Sequence, residues 1–311
     1  MNSTHGDAAD NAPVEAPAAL LLAPDPTGQS DVRFEYIRDL SPAEYERYRH
    51  AYKTLFDILF ANPFAYFMGS ARMFHSAWTN ANNALAAGEI RVNTDPDSFV
   101  VWATQLRAAT LTLCLSLVYH QEQTYQEISE KHGTGGDAHR AAQTVFGELY
   151  DNYAAYRYMY ALRNVMAHDA MDAIALEGMA TRDGDGNTIA MWDLKLDRAV
   201  MSQSRKLNAA MKAEFAGLTE NPSLPELFMQ IAEHVREANR KLLRILHPDL
   251  TSVCQIAVEF NALFNDRPGT RALAHNRSPE LRPGMRVGFS SWSSDLIQFA
   301  RNYERGQEIR R

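Results

Sequence analysis

Long stretches with helical periodicity, separated by proline and glycine, dominate this sequence of 311 residues. The first begins at Ser41, where Ser41-Pro42-Ala43-Glu44 has the residues of a capping box and a proline at the first helical position. Pro63 separates it from a second stretch that runs through Trp78. Further stretches follow at about 99–130, 137–168, 197–217, 224–246, 251–264 and 294–305. The pattern predicts a mainly α protein built as a helical bundle.

Two short segments show the alternation of strands instead. The turn sequence Asp183-Gly184-Asp185-Gly186-Asn187 separates two apolar flanks, and the second alternates through Ile189 and Met191. This pattern predicts one small β-hairpin inserted among the helices. The shorter alternation Val32, Phe34, Tyr36 is compatible with one brief strand before the first helix.

Composition and periodicity predict three regions along the chain. Residues 1–30 are rich in Ala, Pro, Asp and Asn with little periodicity, so we expect a disordered N-terminal segment. Residues 31–265 form the expected helical domain with an N-terminal helical extension. Residues 266–311 carry nine arginines and five acidic residues, which predicts an Arg-rich C-terminal extension with a short helix. This extension is either a solvated arm or a contact for nucleic acid or a partner.

The overall charge and the cysteines exclude several classes of protein. The chain has 31 basic and 38 acidic residues, which argues against a protein coated with basic charge for binding nucleic acid. Cys114 and Cys254 are far apart, so neither a disulfide scaffold nor a cysteine zinc site is expected. A calcium loop at Asp183 fails because Thr188 and Leu194 stand where glycine and glutamate are needed. We therefore expect no metal and no cofactor.

The sequence also predicts where the protein is located. The first ten residues contain no Lys or Arg, unlike the start of a secretory signal. The longest apolar stretch, 111–119, is far short of the roughly 20 residues that a membrane span requires. We expect a soluble cytoplasmic protein without a membrane partner.

The helix predicted around 150–169 contains the candidate functional residues. Its residues Ala155, Met159, Leu162 and Met166 repeat at spacings of four, three and four, which makes one apolar stripe for the core. At about 100° per residue, the opposite side presents polar and aromatic groups within an arc of roughly 80°. These groups are Tyr153, Arg157, Tyr160, Asn164 and His168. Such a face meets water, a ligand or another subunit.

Spacing between arginine and histidine does not by itself identify a site. Roughly two matches to Arg-x(4–6)-His are expected by chance in a chain of this composition, and two occur, at Arg163–His168 and Arg240–His247. The first match differs in its setting, because Asn164 lies one turn before His168 and its amide could orient the imidazole ring. The alternative is an ordinary interface or solvated helix face, on which tyrosine and arginine are common.

The run Tyr158-Met-Tyr160-Ala-Leu162-Arg163-Asn164-Val-Met-Ala-His168 resembles the signature of the HEPN superfamily, in which Arg-polar-x-x-x-His lies near a helix end. The later stretch Trp192–Arg198 is similar to the continuation in HEPN proteins of bacterial defence and toxin systems. The resemblance covers about residues 100–250 and implies a HEPN-type bundle that forms a homodimer around this helix, often as a metal-independent endoribonuclease. It also implies an RNA substrate and an antitoxin or defence-system partner protein. One toxin branch has Tyr two residues after the histidine, where this chain has Ala170.

The residues suit that chemistry. A histidine can act as base or acid near neutral pH, and an arginine fork can bind phosphate oxygens. We therefore predict catalytic roles for three residues: Arg163 stabilises the phosphate, His168 transfers protons, and Asn164 orients the ring or the phosphate. We predict RNA-binding or dimer-facing roles for Arg157 and Tyr160. A HEPN-like module that binds RNA, a nucleotide or a protein without catalysis is the alternative, as is an all-helical interaction protein.

Overall fold

The structure, a computed structural model, describes residues 16–24, 33–91, 94–182, 184, 188–275 and 288–304. It is largely helical, as the sequence predicts. In chain order its elements are β1 (Ala18–Ala23), β2 (Arg33–Asp39), α1 (Pro42–Phe56), α2 (Pro63–Ala86), α3 (Pro96–His132), α4 (Asp137–Asn152), α5 (Ala154–His168), β3 (Ile174–Arg182), β4 (Thr188–Leu196), α6 (Arg198–Gln203), α7 (Ala209–Ala216), α8 (Leu224–Leu246), α9 (Leu250–Ala262), β5 (Thr270–Ala274), β6 (Phe289–Trp292) and α10 (Ser294–Glu304). A π-helical turn, Asp57–Ala61, follows α1, and a 3₁₀ turn, Met171–Ala173, precedes β3.

The chain forms two compact units rather than one helical domain between two extensions. One unit contains the described residues up to Phe60 and from Asp249 onward, and the other contains those between Ala61 and Pro248. This division differs from the predicted boundaries at 30 and 265. The described parts of both predicted extensions belong to the same unit, together with α1 and α9.

The unit made from the chain ends contains a four-stranded antiparallel sheet in the order β2-β1-β5-β6. Leu20 of β1 pairs with Ala272 of β5, so residues about 250 positions apart form one ladder. The expectation of disorder throughout 1–30 is wrong at β1, whose residues Ala18 to Leu21 are buried. The expectation of a single hairpin as the only sheet is also wrong. The brief strand expected near Val32 is confirmed as β2.

The helices of this unit supply an aromatic core. Tyr48 of α1 lies 5.0 Å from the Phe260 ring of α9, and Phe260 lies 4.7 Å from Trp292 of β6. The predicted capping box is confirmed, because the Ser41 side chain accepts from the backbone N–H of Glu44 and the Glu44 carboxylate accepts from that of Ser41. The hydrogen bond from Arg38 and those from Ser41 lower the pKa of Glu44 to about 2.

The second unit is the helical bundle with its hairpin. Proline stands at the first helical position of α2 and α3 and at the second of α8. The capping residues of these helices, which accept a backbone hydrogen bond, are Asn62, Asp95 and Ser223. The stretch predicted as one helix at 197–217 is divided into α6 and α7. The predicted hairpin is confirmed as β3 and β4, with Ile174 paired to Leu196. Apart from Gly184, its turn and the calcium-loop positions 183–187 lie outside the described residues.

Helix α3 passes through this bundle and contacts α2, α4, α5 and α8. Among the described residues, α3 is the one helix whose length and composition would allow it to cross a membrane. In its most apolar stretch of 18 residues, 33% is buried. Its buried residues Leu106, Leu113 and Leu117 belong to the core of the unit. Through these residues α3 contributes to the core of the helical unit.

Candidate functional site

Helix α5, which carries the predicted site, is separate from α4. The sequence predicts one continuous helix from Asp137 to at least His168, but the backbone leaves helical geometry at Tyr153, with φ −124° and ψ 103°. The Tyr153 ring stacks on His234 of α8 with 3.8 Å between ring centroids. The break ends α4 and gives α5 its own direction within the bundle.

The predicted apolar stripe of α5 is confirmed. Ala155, Met159, Leu162 and Met166 are all buried, with Leu162 fully inaccessible. The buried surface is wider than the stripe, because Tyr156, Tyr158, Ala161 and Val165 are buried as well. The residues predicted to face the other way are half-buried, except His168, which is exposed. The exposed residues of α5 are therefore Ala154 at its start and Ala167 and His168 at its end.

Arg157 is held by the protein itself. Its Nη1 donates to the carbonyl oxygens of Tyr150 and Asp151 at 2.8 and 3.0 Å, and its Nη2 donates to Glu214 Oε1 of α7 at 2.8 Å. The hydrogen bond to Glu214 raises the pKa of Arg157. Since the last carbonyls of a helix lack partners within it, the guanidinium caps α4 and ties it to α7. These contacts differ from the predicted RNA-binding or dimer-facing role, because they occupy the guanidinium.

Tyr160 lies one turn after Arg157 on the same helix. Its ring is half-buried and meets the Tyr150 ring edge-on at 6.1 Å. It packs against the hydrophobic core of the unit. The ring therefore contributes to packing between α4 and α5, and part of it remains accessible.

Arg163, unlike Arg157, forms no ion pair with a described carboxylate. Its Nη1 donates to Asn164 Oδ1 at 2.9 Å, and its Nε is buried without a hydrogen-bond partner in the described structure. Over those same residues, no carboxylate forms an ion pair with it. A half-buried guanidinium that lacks an anionic partner is costly, so this group is suited to bind an anion.

The structure does not give Asn164 the predicted role of orienting His168. Its amide oxygen accepts the hydrogen bond from Arg163, and the described residues show no hydrogen bond between it and the imidazole ring. His168 is the last residue of α5 and is exposed. Among the described residues its ring has no hydrogen-bond partner, while Asn164 accepts a hydrogen bond from the arginine.

The segment between α6 and α7 lies against this end of α5, which the sequence did not predict. Asp169, directly after His168, accepts from Ser204 Oγ at 2.5 Å and from the backbone N–H of Arg205 at 3.2 Å. The hydrogen bond from Ser204 lowers the pKa of Asp169, and the charges of Arg205 and Lys206 act in the same direction. Both basic side chains are exposed. The only local signal for them was the dipeptide Arg205-Lys206 itself.

The carboxyl end of α5 thus carries a guanidinium with no anionic partner among the described residues and an exposed imidazole. The segment bonded to Asp169 adds two exposed cations, Arg205 and Lys206. Among the described residues, no group of three or more His, Cys, Asp or Glu is placed to hold a metal ion. Arg240 and His247, the other pair with this spacing, lie in α8 and at its C-cap and were not part of the predicted site. The basic groups around α5 could bind a phosphate, and His168 could transfer a proton.

Comparisons with protein-family models, with curated proteins and with solved structures find no match to this chain. What the protein does is therefore inferred from its own residues and their geometry.

Proposed function

We propose that this protein is a HEPN-type endoribonuclease that cleaves RNA without a metal, through a site shared between two subunits. The observation that carries the proposal is the contrast between two arginines of α5. Arg157 is neutralised by Glu214, whereas Arg163 has no anionic partner in the described structure and lies five residues before His168. A ribose-phosphate backbone would supply the missing anion.

Each group has a role in that reaction. A base removes the proton of the ribose 2′-hydroxyl, whose oxygen attacks the adjacent phosphorus. The bond from phosphorus to the 5′-oxygen breaks, an acid protonates that oxygen, and a 2′,3′-cyclic phosphate remains. His168 supplies proton transfer, and Arg163 stabilises the charge on the non-bridging oxygens. Asn164 holds the guanidinium, and Arg205 and Lys206 contact neighbouring phosphates.

The proposal includes a homodimer because one subunit offers one histidine at this position. Along an α-helix, residues five apart are separated by about 140° of rotation and about 7.5 Å of rise. Arg163 and His168 of one chain therefore point in different directions, and a twofold axis near the end of α5 would bring one of each together from two chains. A cytoplasmic toxin–antitoxin or phage-defence system, with an antitoxin or activating partner, is the proposed setting.

The test is cleavage of total RNA by the purified protein, with and without EDTA. We expect cleavage in both, and a loss of about 100-fold or more in His168→Ala and in Arg163→Ala. The matched controls are His132→Ala and Arg72→Ala, which remove exposed side chains of the same types elsewhere in the unit. Circular dichroism checks that each variant is folded.

Retained cleavage in both site variants would refute the assignment, and loss of activity with EDTA would indicate another kind of site. The dimer is tested by light scattering and by dilution, because activity per subunit should fall once dimers dissociate.

A binding module without catalysis is the second candidate. It is favoured by one observation, namely that Asn164 bonds Arg163 and leaves the His168 ring without a partner among the described side chains. A binder should show no turnover, keep its RNA affinity in His168→Ala and lose it in Arg163→Ala. An enzyme should lose turnover in His168→Ala.

A further inference from the structure

A cavity of about 470 Å³ opens in the helical unit, away from the end of α5. It lies between β4, the segment that leads into α8 and the first turns of α8. The buried side chains of Trp192, Leu194 and Leu227 line it. This volume is within the range of sites that hold small molecules.

Backbone hydrogen bonds fix the walls of the cavity. The segment before α8 runs beside β4, where Leu196 N–H donates to the carbonyl oxygen of Pro222 at 2.8 Å. The Trp192 N–H donates to Asn82 Oδ1 of α2 at 2.6 Å, and its indole N–H donates to the carbonyl oxygen of Ala81 at 3.0 Å. The cavity is therefore formed before any ligand arrives, so binding does not have to order its walls.

The charged groups around the cavity are mainly acidic. Asp193, Glu220 and Glu226 line it, and Lys195 is the one cation among its described lining residues. Lys195 pairs with Asp193 at 2.6 Å. The side chains of Glu220 and Glu226 form no hydrogen bond or ion pair with any described residue. Two carboxylates thus remain uncompensated and favour a cationic ligand over an anionic one.

The remaining lining includes polar residues, namely Asn221, Ser223 and Gln230, and an accessible apolar part. The Trp78 indole forms part of one wall, and Met191 and Met229 line the cavity with 44% and 67% of their surface exposed. Indole faces attract cations, and methionine adapts to apolar groups of varied shape. The lining therefore suits a ligand that has an apolar body and carries a positive charge.

We propose that this cavity is a binding site for a small organic amine, with its apolar body against Trp78, Met191 and Met229 and its ammonium group near Glu220 and Glu226. The site is independent of the proposed ribonuclease site, because its acidic rim would repel a nucleic acid backbone.

The experiment uses the full chain and three probes of similar size, which are 2-phenylethylamine, 2-phenylethanol and 3-phenylpropionate. Binding is followed by tryptophan fluorescence excited at wavelengths where phenyl groups do not absorb, since Trp78 and Trp192 line the cavity. We expect saturable binding of the amine, about fivefold or more tighter than that of the alcohol or the carboxylate. Added salt should weaken it.

Two variants locate the site. In the double variant Glu220→Gln/Glu226→Gln, we expect the dissociation constant of the amine to rise about fivefold. Glu237→Gln is the matched control, because it removes an exposed carboxylate of the same helix outside the cavity, and it should leave binding unchanged. Equal affinity for the three probes, an equal effect of both variants, or no saturation below about 10 mM would each overturn the proposal.

Discussion

Acid should destabilise the helical unit through one buried histidine of α3. His120 is 1% exposed, its Nε2 lies 3.3 Å from Asn239 Oδ1 of α8, and the rings of Phe64 and Phe146 lie against it at 5.7 and 5.5 Å. Burial lowers the pKa of His120 to about 4, and the contact with Asn239 opposes the shift only in part. The imidazole therefore stays neutral in the folded protein at pH values where it is protonated in the unfolded chain.

The magnitude follows from this difference in pKa. The unfolded histidine has a pKa of 6.5, so between that value and about 4 the unfolded state binds more protons than the folded state. Stability is therefore full above pH 6.5 and falls as the pH decreases. At about 1.4 kcal/mol per pKa unit, lowering the pH from 7 to 5 should remove about 2 kcal/mol from the free energy of unfolding. In the other unit, Glu44 has a pKa lowered to about 2, so that unit loses stability at pH values below 4.5, the ordinary value for a glutamate.

The assay is urea unfolding followed by far-ultraviolet circular dichroism at pH 7 and pH 5, for the native chain and for His120→Gln. Glutamine keeps a polar group near Asn239 but does not titrate, so the variant should lose about 2 kcal/mol less than the native chain over this pH interval. His132→Gln, at the exposed end of the same helix, should behave like the native chain. Identical pH dependence in the native chain and His120→Gln would refute the reasoning.

Two further predictions concern the framework of α5. Arg157→Ala should lower the free energy of unfolding by about 2 kcal/mol, because it leaves Glu214 and two carbonyls at the end of α4 without their charged donor. The control Arg140→Ala removes an exposed ion pair and should lower it by less than about 0.5 kcal/mol. Leu162→Ala should lower the free energy of unfolding by about 3 kcal/mol, because the Leu162 side chain is fully buried. The control Leu115→Ala should lower it by less than about 1 kcal/mol, because Leu115 is 39% exposed. Denaturant titrations measure all four variants, and equal losses within either pair would contradict the packing described.

Much of the helical framework was predictable because its signals are local. The capping box at Ser41 and Glu44 and the proline at the start of α2 involve residues within one turn of each other. The apolar stripe of α5 was predictable for the same reason, since residues three and four apart share a face whatever packs against it. The break at Tyr153 was missed because neither proline nor glycine marks it, and the stacking on His234 joins residues about 80 positions apart.

The sequence by itself determined where most helices begin and end, which side of α5 is buried, and that Arg163, Asn164 and His168 lie near the end of one helix. Only the tertiary structure decided that β1 is ordered, because its partner β5 lies at the other end of the chain. It also gave the two arginines of α5 different partners. Glu214, 57 positions away along the chain, forms an ion pair with Arg157, whereas no described carboxylate pairs with Arg163. The physical reason is the same in both cases. Hydrogen bonds within a helix connect neighbours along the chain, whereas strand pairing and ion pairs depend on residues that only folding brings together.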